Sequence, residues 1–309
     1  MQAALTGIAT IALVVAVGWL IARLGLVDQS GRRMMSGLAF SVGSPALLFT
    51  LVSRASLQHL FSATLLVSLL AIAVTMIAYL ACSWWFHPGL GARVIGLMSA
   101  SYTNAGNLGL PIALALLGDG SWVAPILLVQ TAVIMPVCLA LLDTSAARES
   151  GAQMRRWRYL VLPLRNPITV GILLGLLVNL AQVPIPGPVA VAAEMMGGMA
   201  VPLMLLSFGV SLRLDPRPGP GPHTAHLAVS VAIKMLVHPF VAWFIGSVLF
   251  GLTGIELYAV VLLGVLPTAQ NVYVISSQYR ESELLARDAV FWTTLGSVGT
   301  LILIAALFG

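Results

Sequence analysis

The chain has 309 residues, of which 59% are hydrophobic and 8% are charged, and its mean hydropathy is +1.01. Soluble domains carry about 25% charged residues, so this composition excludes a soluble globular protein and predicts an all-α polytopic membrane protein. The formal charge of +5 does not indicate nucleic-acid binding, because the basic residues fall in short loops between apolar segments, where they set membrane topology.

Ten apolar segments approach or exceed the length of about 20 residues that a bilayer-spanning helix requires. They lie at 3–24, 34–53, 60–84, 92–117, 121–142, 166–182, 188–212, 225–251, 255–279 and 286–308. The first lacks a preceding basic region and is longer than the apolar core of a signal peptide, so we expect it to be retained. The longest connection divides the chain into a first five-helix repeat at 1–142, a short cytoplasmic loop at 143–165 and a second, inverted five-helix repeat at 166–309.

Positive charge is concentrated on one side of this topology. Thirteen of the fifteen Lys and Arg residues belong to the loops between spans 1–2, 3–4, 5–6, 7–8 and 9–10. Arg54 belongs to the opposite side, and Lys234 lies within span 8. By the positive-inside rule the arginine-rich loops are cytoplasmic, so both termini are expected on the periplasmic or extracellular side.

Span 4 contains residues that an unbroken membrane helix does not need. Its stretch 101–111 contains Asn104, Asn107 and Pro111, together with Thr103 and two glycines. Unpaired carboxamides in hydrocarbon are costly, and proline removes a backbone donor. Membranes tolerate broken backbone only where it is buried in protein or lines a wet cavity. The segment is therefore either a packing kink or part of a substrate site.

Span 9 is interrupted at the corresponding place, by Pro267, Gln270 and Asn271. An odd number of spans in each half means that the halves enter the membrane in opposite directions. Interrupted spans at matching positions of inverted halves are typical of the binding site of a secondary transporter. We expect the two breaks to meet near the midplane, where helix N-termini can offer amide groups and partial positive charge to an anion.

The polar residues of these spans are the candidate ligands. Carboxamides can donate to a carboxylate or bind a cation through oxygen, and hydrogen bonding between helices is the purely structural alternative. The candidates for substrate binding are Asn104, Asn107, Gln130, Gln270 and Asn271. A sodium ion near Thr103, Asn104, Gln270 and Asn271 stays open as an alternative.

Lys234 is the single lysine of the chain and lies about nine residues, or roughly 13 Å, into span 8. An ionisable residue inside a membrane indicates function. We expect Lys234 to pair with an anionic substrate or to couple transport to its own titration. Snorkelling towards the membrane surface and a structural bond to carbonyls at a helix break are the alternatives. We interpret His238, which precedes Pro239, as part of a kink in the same span.

Enzyme signatures are missing from the sequence. It contains no His-Glu-x-x-His pattern, phosphate loop or nucleophile elbow. The five histidines are scattered and form no metal-ligand pattern. We therefore expect no enzymatic activity, no metal site and no cofactor, apart from a coupled proton or sodium ion.

Three motifs resemble those of the auxin efflux carrier family, whose bacterial members include carboxylate permeases. They are Asn-Ala-Gly-Asn-Leu-Gly-Leu-Pro at 104–111, Pro-Thr-Ala-Gln-Asn-Val-Tyr at 267–273, and Lys234 followed by a proline five residues later. The family is distantly similar to bile-acid sodium symporters. Unlike the plant auxin carriers, this chain has a middle loop of only 23 residues and lacks the acidic residue expected near spans 2 and 3.

The resemblance implies a scaffold of spans 1, 2, 6 and 7 and a transport domain of spans 3–5 and 8–10 that moves like an elevator. Spans 4 and 9 would cross at their breaks, with Pro111 and Pro267 at the crossover. Gln130 matches a glutamine that lines the site of the plant carriers, and Lys234 matches a basic position of span 8.

Together these features predict a secondary active transporter of small organic anions in the inner membrane. Carboxylates are the expected class, with auxin-like molecules and dicarboxylates both open. The alternatives are a sodium-coupled symporter of the bile-acid type and, in a different class, an anion channel. The expected partners are the substrate and the lipid bilayer but no nucleic acid, and a homodimer through the scaffold stays open.

Overall fold

The computed structural model describes residues 2–54, 62–86, 88–119, 122–149, 166–216, 218–219, 221 and 223–308. Within these residues the fold is helical and contains no strand beyond one isolated bridge. The helices are α1 Gln2–Arg23, α2 Gln29–Ser53, α3 Ala63–Ser83, α4 Leu90–Ser101, α5 105–117, α6 124–149, α7 Pro167–Ala181, α8 Gly187–Leu214, α9 Thr224–Leu249, α10 Gly254–Val265, α11 Gln270–Tyr279 and α12 Glu283–Phe308.

Each predicted span coincides with one helix, except that spans 4 and 9 correspond to the pairs α4–α5 and α10–α11. Helices α2, α3, α8 and α9 are long and apolar enough to cross a membrane. Wide π-helical turns interrupt α2 at Ala39–Gly43, α6 at Gln130–Ile134 and α9 at Ile233–Val237. Such turns occur often at functional sites, and two of these three contain predicted site residues.

The predicted middle loop at 143–165 begins as helix. Helix α6 continues to Glu149, so residues 143–149 are helical. The prediction followed hydropathy alone, whereas this polar stretch contains good helix formers and no glycine or proline before Gly151. Arg148 in the last turn also interacts favourably with the helix dipole. The rest of the loop, at 150–165, lies outside the described residues.

The helices pack as two groups. In the first group, α1 packs along α8, and α2 packs against α7 and α8. In the second group, α9 packs against α3, α4, α10 and α12, while α4 also contacts α6 and α11 packs against α12. The groups meet where α5 lies on α1 and where α11 lies between α2 and α8.

Glycine allows the close approach of α1 and α8. A Cβ atom at Gly209 would collide with the carbonyl oxygen of Val15 and would lie 2.9 Å from the main-chain nitrogen of Trp19. A Cβ at Gly18 would collide with the carbonyl oxygen of Leu206. Small residues at such contacts let helix backbones pack closely in membranes, where dispersion contacts replace the hydrophobic effect.

We therefore expect Gly209→Ala to lower the melting midpoint in detergent by several degrees, because overpacking of a close contact costs about 1–3 kcal/mol. Gly299→Ala is the matched control, since a Cβ there has no neighbour within 4 Å. Equal midpoints for the two variants would contradict the assigned contact between α1 and α8.

Candidate functional site

The two helix breaks lie side by side. Thr103, between α4 and α5, pairs in antiparallel fashion with Thr268, between α10 and α11. The main-chain N–H of Asn104 donates to the carbonyl of Pro267 at 2.9 Å. Proline has no N–H and disfavours helix at the preceding residue, so Pro267 helps to end α10 and leaves its own carbonyl free for this bond.

One carboxamide holds the main chain of Thr103. The Thr103 N–H donates to Oε1 of Gln130 at 2.7 Å, and Nε2 of Gln130 donates to the Thr103 carbonyl at 3.1 Å. Gln130 is fully buried and lies in the π-helical turn of α6. A buried main-chain group without a partner is costly, so this side chain stabilises the extended segment.

Thr268 is held in a similar way by hydroxyl and carbonyl groups. Its N–H donates to Oγ1 of Thr293 on α12 at 3.1 Å. Its own Oγ1 donates to the carbonyl of Ser99 on α4 at 2.6 Å. Both extended segments are thus fixed by side chains from α6 and α12, the last helix of each predicted repeat.

Lys234 reaches the same place from α9. Its side chain is fully buried, Nζ donates to Oγ1 of Thr103 at 2.9 Å, and Nζ lies 2.8 Å from Nδ1 of His238. With Nζ as the donor, Nδ1 is the acceptor. Within the described part of the chain, no carboxylate forms an ion pair with Lys234. The sequence interpretation of His238 as a kink residue missed this contact, although its spacing of four residues from Lys234 puts both on one helix face.

A second carboxamide contact joins the two breaks. Nδ2 of Asn104 donates to Oε1 of Gln270 at 2.8 Å, and both side chains are buried. The bond connects the start of α5 with the first residue of α11. This bond within the protein uses the side-chain oxygen of Gln270 and one N–H of the Asn104 carboxamide.

Asn271 and Tyr102 carry buried polar atoms near the crossing that the fold leaves unused. The Asn271 side chain lies close enough to the Tyr102 hydroxyl to interact with it. Neither Oδ1 of Asn271 nor that hydroxyl makes a well-formed hydrogen bond with the described residues. Ala269, which precedes α11, also offers no side-chain cap to the first turn. Buried polar atoms without partners are rare in folded proteins, so this side of the crossing is suited to binding a ligand.

The remaining predicted residues belong to α5. Asn107 lies in its π-helical turn Ala105–Gly109, and Pro111 lies at the start of the following Leu110–Leu117 segment. The side chains of Asn107 and Pro111 lie outside the described part of the structure. The predicted residues that the structure brings together are Thr103, Asn104, Gln130, Lys234, Pro267, Gln270 and Asn271.

The side chains at this crossing determine which ligands it could bind. Among the residues that the structure describes, no group of three or more His, Cys, Asp or Glu side chains could hold a metal ion. The polar groups are instead carboxamides, hydroxyls, one imidazole and one amine. Such groups bind anions through N–H and O–H donors.

The sequence matches the family described as "Membrane transport protein" over residues 3–305. The chain belongs to this family. The resemblance to auxin efflux carriers is thereby confirmed, and the protein is a multi-pass membrane transporter, which is not an enzyme class.

Two relatives extend along nearly the whole chain. One, from Methanothermobacter thermautotrophicus, is named "Uncharacterized transporter"; it is 24% identical over 295 residues, or 94% of each chain. The other, from Rhizobium meliloti, is named "Putative malonate transporter"; it is 26% identical over 293 residues, which cover 92% of this chain and 89% of the relative.

The two hydrogen bonds between the Gln130 side chain and the main chain of Thr103 lead to a prediction about stability. We expect Gln130→Leu to lower the melting midpoint markedly, because each buried polar group left without a partner costs about 1–3 kcal/mol. Thr144→Val is the control on the same helix, since the Thr144 hydroxyl donates to the carbonyl of Ala140 one turn earlier and not to the crossing. If both variants melt alike, Gln130 does not support the crossing.

Proposed function

We propose that this protein is a secondary active transporter of small organic anions, with carboxylates as the substrate class. The observation that carries the proposal is the crossing of two broken helices beside a fully buried lysine. Broken helices inside a membrane protein occur where a cavity or site must be lined. The proposed location is the inner membrane, with both termini on the periplasmic or extracellular side.

The anion would bind where the fold leaves donors unused. Asn271 and the Tyr102 hydroxyl have spare hydrogen-bonding capacity, and the uncapped start of α11 adds amide groups with partial positive charge. Lys234, held on Thr103, contributes the positive charge of the site or a titratable switch. Asn104 and Gln270 orient the two segments, and Asn107 is retained as a proposed ligand.

The proposed mechanism is elevator-like movement of one helix group against the other. The scaffold would consist of α1, α2, α7 and α8 (spans 1, 2, 6 and 7), and the transport domain of α3–α6 and α9–α12. The packing of the helices within these two groups supports this division. The side chain of Gln130 accepts from the main-chain N–H of Thr103, and the side chain of Thr293 accepts from that of Thr268. These similar bonds support an inverted repeat of five plus five spans. A homodimer through the scaffold belongs to the same proposal.

The substrate class is tested by ligand binding. The name of the Rhizobium meliloti relative makes malonate the first probe, and an indole carboxylate represents auxin-like anions. We expect at least one carboxylate to raise the melting midpoint of the wild type. Asn271→Ala should bind it at least about tenfold more weakly, because a hydrogen bond to a charged group contributes about 1.5–3 kcal/mol.

Asn179→Ala is the matched control for this measurement. Nδ2 of Asn179 donates to the carbonyl of Val52 within the proposed scaffold, so its loss should lower stability without changing affinity. Equal ligand shifts in wild type and Asn271→Ala would reject the proposed site. For the channel alternative, saturable counterflow of the same anion in proteoliposomes would decide against a channel.

Sodium coupling is the second candidate, and the geometry favours transport without sodium. Two of the four proposed oxygen ligands are already in use, because Oγ1 of Thr103 accepts from Lys234 and Oε1 of Gln270 accepts from Asn104. Replacing sodium by choline on both sides of proteoliposomes should therefore leave the uptake rate unchanged. A fall of about tenfold or more would instead favour the symporter.

A further inference from the structure

Arg32, at the start of α2, is almost completely buried and is bound by its own helix group. Its Nε donates to Oε1 of Gln29 at 2.8 Å, and its Nη1 lies 3.5 Å from Oδ2 of Asp215 at the end of α8. Nε2 of Gln29 in turn donates to Oδ1 of Asp215 at 2.9 Å. These bonds orient the guanidinium from within the α1, α2, α7 and α8 group.

The same guanidinium also binds the other helix group. Nη1 donates to the hydroxyl of Tyr273 on α11 at 2.5 Å, and Nη2 donates to Oε2 of Glu283 at the start of α12 at 3.2 Å. Arginine presents five N–H donors in one plane. It can therefore hold both groups at once, and separating them requires its bonds to Tyr273 and Glu283 to break.

A second polar contact joins the groups at the C-terminal end of α11. Nδ2 of Asn166, before α7, donates to the hydroxyl of Tyr279 at 2.9 Å, and that hydroxyl donates to Asp143 on α6 at 2.6 Å. Phe208 on α8 also packs edge-on against Tyr273, with ring centroids 5.6 Å apart. Arg32 is the cationic member of this set.

We propose that Arg32 is a positioning residue that latches the moving helix group to the static one and sets how often the proposed cytoplasmic side opens. The proposal rests on the division into scaffold and transport domain given above. When the latch opens, Arg32 keeps its ion pair with Asp215, and the Glu283 carboxylate gains contact with water. The buried arginine thus always has an anionic partner, which makes its release from Glu283 reversible.

The latch can be tested without a substrate. Ser211 on α8 is fully buried and lies beside Tyr273, so Ser211→Cys reports separation of α8 from α11. The background variant is Cys82→Ser with Cys138→Ala, which removes both natural cysteines. We would measure the rate at which a membrane-impermeant maleimide labels Ser211→Cys from the arginine-rich side, in inverted vesicles. Glu283→Gln should raise that rate by about three- to tenfold, because it removes one charge-assisted bond between the groups. Tyr273→Phe should change it in the same direction.

Two controls separate a latch from general weakening of the charged network. Asp215→Asn removes a partner of the Arg32 guanidinium within the proposed scaffold. It leaves the bonds of Arg32 to Tyr273 and Glu283 in place, so the labelling rate should not rise. Glu194→Gln breaks an exposed ion pair with Arg54 that joins α2 and α8, and its rate should also stay unchanged. The proposal would be overturned if the labelling rate in Glu283→Gln and Tyr273→Phe equals that of the parent, or if no labelling occurs. It would also be overturned if Asp215→Asn raises the labelling rate as much as Glu283→Gln does.

The outcome is independent of the substrate assignment. If malonate and the other carboxylates fail to bind while Glu283→Gln opens the cytoplasmic side, the transport substrate is wrong and the latch stands. If carboxylates bind at Asn271 and the labelling rate of Glu283→Gln equals that of the parent, the latch alone is wrong. Glu283→Gln should also leave the affinity for a bound carboxylate unchanged, since Glu283 lies away from the crossing.

Discussion

The structure depends on one requirement: the main chain of a broken helix must find hydrogen-bond partners inside an apolar interior. Water cannot supply them there, and each unpaired group is costly. Two breaks placed side by side meet part of this requirement by pairing Thr103 with Thr268. Gln130 and Thr293 meet much of the rest. The first role of these polar residues is therefore to supply hydrogen-bond partners for the main chain where the two spans are broken.

This requirement separates structural polar groups from those available to a ligand. The Gln130 carboxamide and the Gln270 oxygen are used within the protein, whereas Asn271 and the Tyr102 hydroxyl keep unused capacity. Lys234 belongs to both classes, because it holds Thr103 and is also an ionisable group buried at the crossing. Under the proposed function, the residues best placed to discriminate between substrates are those that the crossing does not need.

The position of the crossing also bears on movement. Both breaks, Gln130, Lys234 and Thr293 belong to the helix group formed by α3–α6 and α9–α12. The hydrogen bonds of the crossing can therefore stay intact if this group moves as one body. The contacts that would have to change are those between groups, such as the bonds of Arg32 to Tyr273 and Glu283. A tightly bonded site and a mobile carrier are compatible for this reason.

Much of the fold could be predicted because the signals are local. Segment length and hydropathy locate the helices, and Pro267 marks a break through its missing N–H. Helix α6 extends beyond the apolar segment 121–142, because hydropathy falls at Asp143 while helix propensity does not. The pairing of His238 with Lys234 was readable from their spacing, but a neighbouring proline suggested only a kink.

The sequence by itself determined that the chain is helical, apolar and interrupted twice by polar residues, since these properties follow from composition and from neighbours along the chain. The tertiary structure alone decided the partners: which carboxamide holds Thr103, which atoms stay unused, and where Arg32 joins the two groups. Arg32 and Glu283 are 251 positions apart. Contacts of this kind depend on how helices pack in space, and no local periodicity encodes them.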